Sequence, residues 1–198
     1  MDEKGKGHAE DLEIYMLEET HIVELEPIES ESYILDIGGG GEGIIGKLNG
    51  SRVISIDKNP RELEETKNDS LKIVMDATDL KFLPGSFEVV TSFFTLMYIE
   101  NKTHARIFDE ANRVLVDEGR FIIWDLKIPE RFSTERFFAV KLEVSIPDEI
   151  ISTGYGTKWE GKAQDIEYFK DLAADRGFQV LNEWSEDEIF FLELQKKS

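Results

Sequence analysis

Short apolar runs alternate with helical patterns along most of this chain. From Ser32 onward each apolar run is bounded by turn residues, and amphipathic segments lie between the runs. This order is typical of βαβ units, which build a parallel sheet with helices on both faces. We therefore expect an α/β fold with a doubly wound sheet. The predicted parallel strands cover 33–37, 53–57, 71–75, 87–92 and 121–124, and the predicted helices between them cover 43–48, a segment starting at Pro60, and 103–115.

The C-terminal part of the chain follows a different pattern. Strict alternation of apolar and polar residues over 138–146 predicts a half-exposed antiparallel strand, and Pro147-Asp148 predicts a turn into a return strand. We expect this hairpin to be added to the main sheet. A predicted helix over 163–176 precedes strands 178–184 and 188–194, which a tight turn makes antiparallel. The sheet should therefore be mostly parallel with seven strands, the last of them antiparallel.

The first thirty residues predict a helix. Leu12, Tyr15, Met16 and Glu19 have helical spacing, which favours either an amphipathic lid over a ligand or a plain packing helix.

Charge and composition narrow the classes of partner. The chain has 42 acidic and 23 basic residues, and its formal net charge of −19 disfavours binding to nucleic acid. It has no cysteine, no export signal and no apolar run of membrane-spanning length, so we expect a cytoplasmic protein without membrane contact. The histidines, His8, His21 and His104, are too scattered to predict a metal site.

A glycine-rich loop carries the first functional signal. The segment 36–43 has five glycines and an aspartate where a strand passes into a helix, which lets a ligand approach the backbone closely and predicts a nucleotide cofactor. Gly38, Gly40 and Gly43 also satisfy the dinucleotide pattern G-x-G-x-x-G. Asp36, however, would oppose a pyrophosphate and would favour a sulfonium cation that carries an ammonium group.

Two further acids follow strands. Asp57 can accept hydrogen bonds from a ribose diol, a role that NAD enzymes and methyltransferases share. Asp76 can accept a hydrogen bond from an adenine amino group, or it can cap a turn.

The segment from Tyr33 to Leu126 resembles the class I S-adenosylmethionine-dependent methyltransferases, and within them the small-molecule, type 11-like group that includes the quinone-biosynthesis C-methyltransferases. The resemblance rests on 34–40, Asp57, Asp76-Ala77 with 83–87, and 113–121. It implies S-adenosylmethionine as cofactor. It also implies contacts to the methionine end from Asp36, Gly38 and Gly40, to the ribose from Asp57, to the adenine from Asp76 and Ala77, and to its flanks from Lys58 and Phe93. Glu42 departs from the family, because many relatives have their third glycine there.

With this assignment we expect one domain, 1–198. Its parts would be a helical lid (1–30), a cofactor-binding core (31–127), a hairpin insertion near the acceptor site (128–160), and a C-terminal helix with antiparallel strands (161–198).

The methyl acceptor is less well defined. The fourth strand ends in 91–95 without an Asn/Asp-Pro-Pro-Tyr pattern, and cysteine is absent, which disfavours nucleobases and glutamine amides and leaves a small molecule or a protein side chain. We favour a small molecule.

Asp125 and His21 could act as bases. Alternatively, Asp125 could merely cap a turn, and His21 could lie on the surface. The candidate acceptor-side residues are Tyr15, His21, Tyr98, Trp124, Asp125, Tyr155 and Trp159. The sequence leaves open the acceptor, the need for a base and the oligomeric state.

Two alternatives remain at this point. Tyr98 and Lys102 match the Tyr-x-x-x-Lys pair of NAD-dependent short-chain dehydrogenases, although the match is short. The second alternative is a protein that binds S-adenosylmethionine but does not catalyse methyl transfer.

Overall fold

The computed structural model describes residues 13–198. Its strands are β1 (Ile14–Glu24), β2 (Ile34–Ile37), β3 (Val53–Asp57), β4 (Leu71–Val74), β5 (Phe87–Phe93), β6 (Leu115–Leu126), β7 (Phe137–Ile146), β8 (Glu149–Lys158), β9 (Phe178–Glu186) and β10 (Ile189–Lys196). Its α-helices are α1 (Ile44–Asn49), α2 (Pro60–Glu65), α3 (Asn101–Val114) and α4 (Ile166–Asp175), with 3₁₀ turns at Gly50–Arg52 and Leu96–Tyr98.

The main sheet has seven strands in the order β4-β3-β2-β5-β6-β10-β9. Strands β2 to β6 pair in parallel, whereas β10 pairs antiparallel with both β6 and β9. The predicted α/β fold with its reversed last strand is thereby confirmed. Because the parallel strands point the same way, the residues after β2, β3, β4 and β5 gather at one edge of the sheet.

Helices and a second sheet bury the two faces of this main sheet. On one face, Leu35 and Phe121 pack with Phe108 of α3 and Phe169 of α4. The apolar stripe predicted for α3 is confirmed, since its Ile107, Phe108, Ala111 and Val114 are fully buried. On the other face, Ile34 and Ile122 pack with residues of α1 and of the second sheet.

The hairpin β7–β8 forms as predicted, but its expected place in the main sheet is wrong. It pairs with β1 in a separate three-stranded sheet of order β1-β7-β8. Val140 and Val144 of β7 belong to the same apolar cluster as Ile34 of β2. Stacking on the face of the main sheet buries this whole apolar side, which pairing at an edge would leave open to water.

The predicted N-terminal helix is also wrong over the described residues. Ile14–Glu24 is a strand that pairs in parallel with β7, and its register shifts between Met16 and Thr20. His21 and Val23 alternate with exposed neighbours, as they must in a half-buried strand. Leu12 and the rest of 1–12 lie outside the described residues.

Candidate active site

A cleft of about 840 Å³ opens at the carboxyl edge of the parallel strands. Its walls come from the glycine loop after β2, the ends of β3, β4 and β5, the 3₁₀ turn Leu96–Tyr98 and strand β8. All eight residues predicted to bind the cofactor line it: Asp36, Gly38, Gly40, Asp57, Lys58, Asp76, Ala77 and Phe93. Segments far apart in sequence thus meet at one site.

The glycine loop is fixed against its neighbours by backbone contacts. The amides of Gly38 and Gly39 both donate to the carbonyl of Ile56, at 2.8 and 3.1 Å. Gly38 has a φ of 75°, and a Cβ there would fall 2.2 Å from the Thr95 hydroxyl oxygen. Only glycine combines this backbone conformation with such a close approach, so the loop lies directly against the segment that follows β5.

Asp36 is a buried acid at the floor of the cleft. Its carboxylate accepts a hydrogen bond of 2.8 Å from the hydroxyl of Thr91 on the adjacent strand. Burial raises the pKa of Asp36 to about 7, against the lowering effect of Thr91, and nearby Asp57 raises it further. A cation in the cleft would compensate the buried charge.

Asp57 is the last residue of β3, and Asp76 lies just after β4. Asp57 Oδ1 accepts the amide of Asn59 at 2.7 Å, and its Oδ2 lies near Gly40 across the cleft. Asp76 Oδ1 accepts both the amide and the hydroxyl of Thr78, each at 2.8 Å, and these hydrogen bonds hold the pKa of Asp76 below its usual range. Asp76 therefore caps a turn and lines the cleft at the same time.

Comparisons with known proteins agree with this geometry. A family model described as a methyltransferase domain matches residues 35–123, which run from β2 into β6 and include every lining residue of the cleft except Gly154 and Tyr155. Over these residues the chain is similar to a methyltransferase domain. The lining fits S-adenosylmethionine, because three of its carboxylates would face a ligand that is both a nucleoside and a cation.

Solved structures share the fold at low sequence identity. A methyltransferase from Methanosarcina mazei is 17% identical, with a TM-score of 0.63, over 86% of this chain and 94% of that chain. One from Mesorhizobium loti is 15% identical, with a TM-score of 0.58, over 83% and 90%. One from Clostridium acetobutylicum is 11% identical, with a TM-score of 0.58, over 84% and 85%. Comparison with curated protein sequences finds no match.

The remaining wall of the cleft is aromatic and acidic. The Tyr155 ring stacks on Phe94, with centroids 5.2 Å apart and planes 9° from parallel. The Tyr98 hydroxyl accepts the amide of Gly156 at 3.3 Å. Glu42 accepts hydrogen bonds from the hydroxyls of Thr153, at 2.5 Å, and Tyr155, at 3.4 Å. The glycine loop and strand β8 are thereby joined across the cleft.

Two of the seven predicted acceptor-side residues line this cleft, namely Tyr98 and Tyr155. Trp159 is buried in an aromatic cluster with Tyr15 and Phe138, and Trp124 packs between Phe93 and Phe191. These aromatic residues therefore act in packing.

The two candidate bases lie outside the cleft lining, and their proposed catalytic roles are not supported by this geometry. Asp125 is fully buried and accepts hydrogen bonds from the amides of Met97 and Leu126 and from the Gln164 side chain. Burial raises its pKa to about 7 in spite of these donors. His21 lies on β1, where its Nε2 is 3.6 Å from Glu188. The hydrogen bonds that Asp125 accepts connect the 3₁₀ turn Leu96–Tyr98 and Gln164 to β6.

The dehydrogenase alternative has no support. Tyr98 lies in the 3₁₀ turn and Lys102 in α3, so one helix does not present both side chains. The Lys102 ammonium is exposed and pairs with Glu100 at 2.6 Å.

The sequence prediction missed three acids in the lining, Glu42, Glu62 and Glu100. Glu42 was noted only as a departure from the glycine pattern. Glu62 lies in the first turn of α2, five residues after Asp57, and this closeness in sequence to a strand-end acid is the signal that could have found it.

Within residues 13–198, no helix is long and apolar enough to cross a membrane. No group of three or more His, Asp and Glu side chains there is arranged to hold a metal ion.

Proposed function

We propose that this protein is an S-adenosylmethionine-dependent methyltransferase that acts on a small molecule, bound between the glycine loop and the hairpin β7–β8. The observation that carries the proposal is the cleft itself, whose cofactor side and whose aromatic side face each other within one volume of about 840 Å³. A volume of this size is ordinary for a small-ligand site, and it has to hold both cofactor and acceptor.

The residue roles follow from position. Asp36, Gly38 and Gly40 would hold the methionine end, Asp57 the ribose hydroxyls, and Asp76 with Ala77 the adenine, with Lys58 and Phe93 beside it. Bound S-adenosylmethionine supplies an electrophilic methyl group. The chain's own part is to orient the acceptor and to exclude water, which Phe94, Tyr98 and Tyr155 do by covering the site with apolar surface.

The charge of the site supports this choice of acceptor over nucleic acid. The lining has six carboxylates, from Asp36, Glu42, Asp57, Glu62, Asp76 and Glu100, and Lys58 is the basic side chain among the described residues there. A polyanion would be repelled at the entrance.

Transfer of a radiolabelled methyl group tests the proposal. Purified protein would be incubated with labelled S-adenosylmethionine and a metabolite extract, a protein extract or total RNA in parallel. We expect label in low-mass products, and none with the Asp57→Ala variant. Label only in protein or in RNA would contradict the small-molecule acceptor.

A further inference from the structure

The acceptor side of the cleft has a composition suited to a positive charge. The rings of Tyr98 and Tyr155 line this side, and the Tyr155 ring stacks on Phe94. The Glu42 carboxylate accepts hydrogen bonds from Thr153 and Tyr155 of the same wall. Cations bind over aromatic faces and next to carboxylates, whereas an acceptor with its own carboxylate or phosphate would meet Glu42 and Glu62.

The two phenols are not bases at neutral pH. Burial, and then the charges of Asp125, Glu42 and Glu62, raise the pKa of Tyr98 to about 12. Burial and Glu42 also raise the pKa of Tyr155. The same negative charges that hold the phenols protonated would stabilise an ammonium group beside them. Glu42 is thus the carboxylate on this wall that an ammonium group would meet.

Building on the proposed methyltransferase function, we propose that the acceptor is an organic amine, held as its ammonium ion by Glu42 and the ring faces of Tyr155 and Tyr98, and methylated on nitrogen. Two hydrogen bonds hold the Glu42 carboxylate in place for this role, one donated by Thr153 and one by Tyr155.

The transfer balances as follows. The ammonium ion gives one proton to the Glu42 carboxylate, which passes it to water at the cleft mouth. The freed nitrogen lone pair forms the C–N bond to the methyl carbon, and the C–S bond breaks with its electron pair going to sulfur. The products are S-adenosylhomocysteine and the N-methylammonium ion.

Calorimetry on the protein loaded with S-adenosylhomocysteine tests this inference. The probes are 2-phenylethylamine, 2-phenylethanol and 3-phenylpropionate, which share a phenylethyl group and differ in charge. We expect the amine to bind at least about tenfold more tightly than the alcohol, and the carboxylate to bind most weakly, since charge-assisted hydrogen bonds and cation–π contacts add to amine binding alone.

Four variants assign the effect to its residues. Glu42→Gln should weaken amine binding about tenfold and leave the alcohol unchanged, whereas Glu64→Gln, which removes an exposed carboxylate of α2, should leave both unchanged. Tyr155→Phe keeps the ring and should retain most of the amine affinity, and Tyr155→Leu should lose about threefold or more.

The outcomes separate the two proposals. If S-adenosylhomocysteine itself does not bind, the methyltransferase function fails, and the inference fails with it. If it binds but the amine binds no better than the alcohol, the amine inference alone is overturned. If Glu42→Gln weakens S-adenosylhomocysteine and spares the amine, Glu42 serves the cofactor and the inference is wrong.

Discussion

Thr91 on β5 donates a buried hydrogen bond of 2.8 Å to Asp36 on the neighbouring strand β2. Both side chains lie beneath the glycine loop, Thr91 with no exposed surface and Asp36 with 2%. The hydrogen bond does not offset the burial of the carboxylate, and the pKa of Asp36 stays at about 7. Asp36 is therefore poised to ionise when a cation arrives.

The first prediction concerns proton release on cofactor binding. A sulfonium cation near Asp36 lowers the pKa of that carboxyl, so binding of S-adenosylmethionine at pH 7 should release up to about half a proton. Its affinity should rise as the pH is raised through 7. Calorimetry in buffers of different ionisation enthalpy measures the proton count. Asp36→Asn should release none, and equal release from this variant would assign the proton to another group.

The second prediction concerns stability and pH. Asp36 and Asp125 both have folded-state pKa values of about 7, above the ordinary value of 3.8. Between about pH 4 and pH 7 the native state therefore binds more protons than the unfolded chain, and the free energy of unfolding falls as pH rises, levelling off above about pH 7.

Asp125→Asn isolates one of these two groups. Urea denaturation of wild type and variant at pH 5 and pH 8 should give a fall in unfolding free energy that is smaller in the variant by about 2 kcal/mol. Comparing the falls removes the background repulsion of an acidic chain, which both proteins share. Equal falls would show that Asp125 titrates normally.

Most of the fold was predictable because its signals are local. Each strand of the parallel core is a short apolar run, and the stripe on α3 shows directly in the sequence. The errors arose where structure depends on distant partners. Strand β1 pairs with β7, more than a hundred residues away, and its register shift between Met16 and Thr20 interrupts the alternation that would have revealed a strand.

The cleft lining was predictable only at the carboxyl ends of the parallel strands. Asp36 and Asp57 lie in the last two residues of β2 and β3, and Asp76 follows β4, so sheet geometry alone brings them together. The aromatic wall depends on how β8 stacks over the main sheet, which no local pattern encodes. Asp125 also lies near the end of a strand, but it does not line the cleft, and its carboxylate accepts buried hydrogen bonds from Met97 and Gln164.

The third prediction concerns the floor of the cleft. A Cβ at Gly39 would lie 2.5 Å from Asp36 Oδ2 and 2.7 Å from the Ser55 Cβ, so Gly39→Ala must displace the Asp36 carboxylate. We expect a loss of about tenfold or more in S-adenosylhomocysteine affinity. Gly85→Ala is the control, because Gly85 has a φ of 63° but open space around it. It should cost about 1 kcal/mol of stability and leave affinity unchanged.

The fourth prediction concerns the loop that follows Asp76. Arg113 of α3 donates to the carbonyls of Leu80 and Phe82, each at 2.8 Å, and binds the buried carboxylate of Glu110 through two nitrogens. Arg113→Ala should destabilise the protein by about 2–3 kcal/mol, because it leaves these acceptors unpaired. Arg113→Lys, which keeps the charge but not the fork, should lose part of this amount. Chemical denaturation measures both, and an unchanged alanine variant would contradict the role.

The fifth prediction bears on the cofactor assignment itself. Titration of the protein with S-adenosylhomocysteine, and separately with NADH, should show saturable binding of the former alone. Asp57→Ala should weaken that binding about tenfold or more, because a ribose diol would lose its charged hydrogen-bond partner, and Asp69→Ala, at an exposed site beyond α2, should not. Binding of NADH alone, or undiminished S-adenosylhomocysteine binding by Asp57→Ala, would contradict the account of this cleft.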